Sequence, residues 1–151
     1  MKRYLYLLSM VIVLGACSGI PKNLSSYTAF GQIEGRVSIG EQAYPMILDQ
    51  LEWKEKNMEV SKIPESDIYV SAEEFPTLEV SKEDKITIDI DQSPSSIKVT
   101  QYNEDGTSKE VSIIDNQIQV PIEEGHYIYE VQATWSQGEY TFLFDIERND
   151  S

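Results

Sequence analysis

The sequence predicts an all-β fold, an antiparallel β-sandwich, over residues 34–148. Apolar and polar side chains alternate in successive runs. The clearest are Ile86, Ile88 and Ile90; Ile118, Val120 and Ile122; Tyr127 through Trp135; and Tyr140, Phe142, Phe144 and Ile146. A period of two is the mark of a strand with one face buried and one wet. Turn signals recur about every eight to twelve residues, the rhythm of a sandwich of roughly seven to nine short strands. No helical stripe of any length competes with this pattern.

Arg36–Ile39 and Gln42–Tyr44 flank the dipeptide Gly40-Glu41 and predict a hairpin. Pro45 places the second strand at an edge or ends it there. Residues 46–76 are less regular: a strand through Met46–Trp53, a turn at Lys54–Asn57, a short strand from Met58, then a long acidic loop with room for a helical turn. Leu78 and Val80 lead into a turn at Ser81–Asp84 and the strand carrying Ile86, Ile88 and Ile90. Residues 97–102 and the stretch with Val111 and Ile113 form a hairpin around Asn103–Gly106. After a turn at Asp115-Asn116 comes the Ile118–Ile122 run. Tyr127–Trp135 reads as a central strand, Ser136–Glu139 as a turn, and Tyr140–Ile146 as the last inward face.

The first residues follow a different pattern. Met1-Lys2-Arg3 is basic, Tyr4–Leu14 is an apolar run interrupted by Ser9, and Leu14-Gly15-Ala16-Cys17 closes it. A spanning helix needs about 20 apolar residues, so this shorter run reads as the core of an export signal. The tetrapeptide resembles the lipobox of bacterial prolipoproteins. That resemblance implies a signal peptide at 1–16, cleavage before Cys17, diacylglycerol on its thiol, and a mature protein anchored at the extracytoplasmic face of the cell membrane. Residues 17–33, with Gly19, Pro21, Asn23 and Gly31, read as the lipidated cysteine and a tether. Two acyl chains hold such a protein stably, since each buried methylene contributes about 0.8 kcal/mol.

Cys17 is the only cysteine, so no disulfide can form within the chain, and a domain of this size needs none. The formal charge is −14, and loss of Lys2 and Arg3 with the leader makes it two units more negative. Such a chain is repelled by nucleic acid and by anionic headgroups, so the lipid must anchor it. The expected partners are therefore the membrane, through the lipid, and an envelope protein.

Glu123-Glu124-Gly125-His126-Tyr127-Ile128-Tyr129 resembles the Asp-x-Gly-x-Tyr-x-Cys stretch that opens strand F of immunoglobulin domains. The resemblance implies an immunoglobulin-like sandwich in which Tyr127 is the tyrosine-corner residue, its hydroxyl bonded to backbone a few residues upstream. Tyr129 stands where the cysteine would be, and residues 97–102 lack the usual tryptophan, so apolar packing takes the place of the disulfide. The final strands are also similar to those of uncharacterised lipoproteins of Gram-positive bacteria, a likeness that implies location and no activity.

Few residues suggest chemistry. His126, the only histidine, alternates with the inward residues and reads as a surface side chain beside a turn. No nucleophile-elbow motif accompanies it, and zinc-type ligand sets are absent from the sequence. Asp89, Asp91, Asn103 and Asp105 are the candidate oxygen ligands for calcium, although they lack EF-hand spacing. Trp53, in a polar segment, is the candidate interface residue. Together these features predict a non-enzymatic, lipid-anchored accessory or interaction module. A solute- or calcium-binding envelope lipoprotein is the alternative, and an envelope hydrolase using surface carboxylates the remote one.

Overall fold

The computed structural model describes residues 33–150. The expected lipobox residues Leu14, Gly15 and Ala16, the expected lipid attachment at Cys17, and the tether up to Gln32 lie outside the described residues. The rest is mostly β, with two sheets packed face to face. One sheet has the order β2-β1-β6-β9, formed by Gly35–Ile39 (β1), Gln42–Pro45 (β2), Lys85–Ile90 (β6) and Gln117–Gln119 (β9). The larger sheet runs β4-β3-β11-β10-β7-β8, formed by Met58–Lys62 (β4), Ile47–Glu55 (β3), Gly138–Arg148 (β11), Gly125–Trp135 (β10), Ser96–Asn103 (β7) and Ser108–Val111 (β8). Leu78–Val80 (β5) joins the far end of β11 in parallel; all other pairings are antiparallel.

Alternation sets which side chains fill the space between the sheets. Ile86, Ile88 and Ile90 face inward from β6, opposite Tyr129, Val131 and Ala133 of β10 and Phe142, Phe144 and Ile146 of β11, all of them buried. Tyr129 stacks on Phe144 with ring centroids 4.9 Å apart. Each large apolar side chain fully removed from water contributes roughly 1.5–3 kcal/mol, so this layer dominates stability. β10, paired with β7 on one side and β11 on the other, is the central strand its sequence predicts.

The stretch from residue 46 also takes the expected order: β3, a turn at Lys56-Asn57, β4, then the one-turn helix Ile68–Ala72 (α1). Asp67 caps that helix by accepting the Tyr69 N–H at 3.0 Å. Three details differ from the sequence reading. Ile113 falls outside the hairpin, because β8 ends at Val111. The Ile118–Ile122 run is a strand only to Gln119; Pro121 has no N–H for a ladder, and Ile122 is 91% exposed. The β10–β11 turn is tighter than expected, with Trp135 directly opposite Gly138.

The larger departure is a second buried face. Ile128 and Leu143 point away from the sandwich interior yet are fully buried. α1, which contacts β11 and buries Ala72, covers this outer surface, and Tyr69 donates its hydroxyl hydrogen to the Asn103 carbonyl at 2.9 Å.

The same face carries a half-buried carboxylate, Glu130. Burial holds its carboxyl above the ordinary 4.5, and the charge of Asp49 adds to the effect. Asp49 sits where the β3–β11 register shifts, opposite Thr141 and Phe142. A raised folded-state value means that the native protein binds this proton more tightly than the unfolded chain. Stability from this group therefore rises as pH falls through the folded value, and ionised Glu130 is a cost at neutral pH. Glu130→Gln is expected to raise the melting temperature at neutral pH, with the gain vanishing as pH drops into the carboxylate range. Melting curves across pH check both parts.

Candidate functional site

β8 and β9 end their sheets, and residues of both line one groove. No strand pairs with the outer edge of β8 among the described residues. β9 is partly covered: Ile114 bridges to Gln117 through two backbone hydrogen bonds of 2.9 Å. Asp115 and Asn116, with φ of 50° and 61°, form the two-residue turn of that bridge. Aspartate and asparagine tolerate this left-handed geometry better than most residues.

The groove beside these edges holds about 860 Å³; Val111 of β8, the buried Ile118 of β9 and Val120 form its apolar part, Lys82, Lys85, Glu83 and Asp84 its charged part, and the buried Gln101 also lines it. Ile114, 69% exposed, and Ile122 stand on its rim. Gln101, Lys109, Pro121 and Ile122 also line an adjoining cleft of about 520 Å³. The walls of that cleft are acidic, with Glu104, Asp105, Glu123 and Glu124 facing one lysine, Lys109.

A hydrogen-bonded chain fixes Gln101. The buried Tyr129 hydroxyl donates to Gln101 Oε1 at 3.4 Å, Gln101 Nε2 to Asn103 Oδ1 at 2.8 Å, and Asn103 Nδ2 to Thr107 Oγ1 at 2.8 Å. Thr107 completes it by donating its hydroxyl and backbone hydrogens to Asp105 Oδ1, which holds the Asp105 carboxyl below its ordinary value. Gln101 is 4% exposed, so without these partners its amide would be a costly orphan.

The candidate calcium ligands fall into two separate sets. Asp89 and Asp91 lie on or next to β6 in the smaller sheet, where both pair with Arg36, at 3.7 and 3.3 Å. Asn103 and Asp105 belong to the β7–β8 turn of the other sheet and take part in the chain through Thr107. Among the described residues no three His, Cys, Asp or Glu side chains are grouped to hold a metal ion. Trp53 is half-buried in an aromatic triad, its ring centroid 5.7 Å from both Trp135 and Tyr140. Trp135 in turn donates its indole N–H to the Gln92 carbonyl at 3.0 Å.

His126 is not the plain surface residue its position suggests. Its Nε2 lies 2.6 Å from Asp145 Oδ2, which also accepts from the Thr77 hydroxyl at 3.1 Å. The Asp145 side chain is 5% exposed and that of His126 29%. Strand alternation places both on the outer face that α1 covers, and it is this cover that buries the carboxylate. The pair joins β10, β11 and the segment after α1 as a structural latch.

No family model, curated protein or solved structure matches this chain. The functional reading therefore rests on the site itself. An open strand edge beside a groove with apolar side chains is a recognised peptide-docking geometry.

Proposed function

We propose that this chain is an extracytoplasmic lipoprotein, anchored through a lipid on Cys17, whose immunoglobulin-like domain is a non-enzymatic interaction module. The observation that carries the interaction reading is the groove at the unpaired edge of β8, with Ile114 and Ile122 exposed on its rim. Two exposed isoleucines beside one hollow offer a partner apolar surface to bury. The anchor rests on the leader and on Leu14-Gly15-Ala16-Cys17.

Two features favour the immunoglobulin-like assignment. The strand orders match that pattern if β1, β6 and β9 stand for A, B and E, and β11, β10, β7 and β8 for G, F, C and C′. The segment from β2 to β5 is then an insertion between A and B. Tyr127 at the start of strand F donates its hydroxyl hydrogen to the Glu123 carbonyl at 3.0 Å, the geometry of a tyrosine corner. Tyr127→Phe is expected to cost about 1 kcal/mol in urea denaturation, the worth of one hydrogen bond. An unchanged midpoint would remove the corner from the account.

Chemical crosslinking in cells tests the function, with the intact protein compared with Cys17→Ala. One recurrent envelope partner, lost when the untethered variant leaves the membrane fraction, is the expected result. Membrane retention of Cys17→Ala contradicts the anchor, and a featureless crosslinking profile contradicts the interaction reading.

A further inference from the structure

We infer that the β8–β9 groove takes an extended polypeptide segment of a partner protein, one that alternates apolar side chains and carries a cluster of lysine or arginine at one end. The proposal rests on the interaction reading above and specifies its ligand. Three features select this occupant over others.

The first is the free edge. β9 is blocked at Gln117 by its own hairpin, whereas no strand among the described residues pairs with the outer edge of β8, so an incoming chain can gain ladder hydrogen bonds along Ser108–Val111. That requirement favours an extended segment over a helix or a small molecule. The second is the apolar lining. Val111, Ile118 and Val120 in the groove and Ile114 and Ile122 on its rim offer contacts to alternate side chains of a strand, and the opposite set would face water.

The third is charge, which is unevenly distributed: in the groove itself Lys82, Lys85 and Lys109 offset the carboxylates, whereas the adjoining cleft is mostly acidic. The acidic cleft adjoins the end of β8 that begins at Ser108, because Glu104 and Asp105 belong to the turn leading into that strand. Glu124 is already held by Arg148, 3.9 Å away, whereas Glu104 and Glu123 enter no salt bridge among the described residues. A cationic group placed there gains their attraction, and an acidic segment is repelled by it. Lys109 reduces this field without reversing it. Nucleic acid, another extended polymer, is repelled by the same carboxylates.

The test uses the full chain in detergent as bait for a random dodecapeptide library displayed on phage, followed by fluorescence anisotropy of the enriched peptides. Enriched sequences are expected to combine alternating apolar residues with two or more lysines or arginines. Their affinity should fall by about tenfold or more with Ile122→Asp, and similarly with Glu104→Lys combined with Glu123→Lys. It should also weaken as salt rises. All three positions lie on the surface of the hollow, and thermal melting verifies that the variants remain folded. The proposal is overturned if no peptide is enriched, if enriched peptides lack basic residues, or if their binding ignores these substitutions. The in-cell crosslinking result is independent of the library. A partner captured there while the library fails removes the ligand assignment and leaves the interaction reading standing; failure of both removes both.

Discussion

Gly138→Ala is expected to cost roughly 3–5 kcal/mol, a large fraction of the stability of an ordinary domain. A Cβ added at Gly138 would lie 2.0 Å from the Glu52 carbonyl oxygen and 2.9 Å from Trp53 Cα. Both are backbone atoms of β3, so no rotamer change relieves the clash, and the strand pair itself must separate. Gly138 is also the residue between two tryptophans: it pairs with Trp135 on β10 and Trp53 on β3. Those rings meet edge-on, and Tyr140 packs against both. Separating β3 from β11 therefore also disrupts the aromatic triad. Equilibrium denaturation in urea, with tryptophan fluorescence as the probe, measures the loss. A change below about 1 kcal/mol would mean that β3 does not approach β11 as described.

The second large effect is expected at the latch. His126→Leu removes the closest partner of Asp145 and leaves a buried carboxylate with only the Thr77 hydroxyl. The other oxygen, Asp145 Oδ1, already has no partner. Breaking such a pair costs roughly 3–5 kcal/mol when both groups are fully buried, and about 2–3 kcal/mol fits a histidine that keeps some contact with water. Replacing both residues with leucine removes the stranded charge, so the double variant should recover most of the loss. A double-mutant cycle in urea reads the coupling, expected to exceed about 1 kcal/mol. Additive single costs would show that the two side chains do not act as a pair.

The sandwich was legible because its inner face obeys alternation. Ile86, Ile88 and Ile90 have no other purpose than to fill the core, and polar neighbours mark them off. The outer face was not legible from the same rule. Its cover is a helix of five residues, Ile68–Ala72, too short to display a helical period. Asp145 and Thr77 are far apart in sequence and look like ordinary surface residues until that cover buries them. One signal was present. Phe142-Leu143-Phe144 and Tyr127-Ile128-Tyr129 are continuous apolar triplets, which a strand buried on one face does not need and a strand buried on both faces does.

The groove was hidden for the opposite reason, since the Ile118–Ile122 run looked too regular. Pro121 was the contrary signal: it ends the ladder and leaves Ile122 at the rim instead of in the core. Residue type alone singles out the calcium candidates, and it cannot reveal that Arg36 lies between Asp89 and Asp91 or that Thr107 holds Asp105.

The interaction reading is tested most directly by a photo-crosslinking amino acid placed at Ile122 of the intact lipoprotein in its native membrane, with Val70 on the exposed side of α1 as the control position. The account predicts one dominant crosslinked partner from Ile122, absent from Val70 and lost with Cys17→Ala. Equal labelling from both positions, or no labelled partner from Ile122, would contradict it.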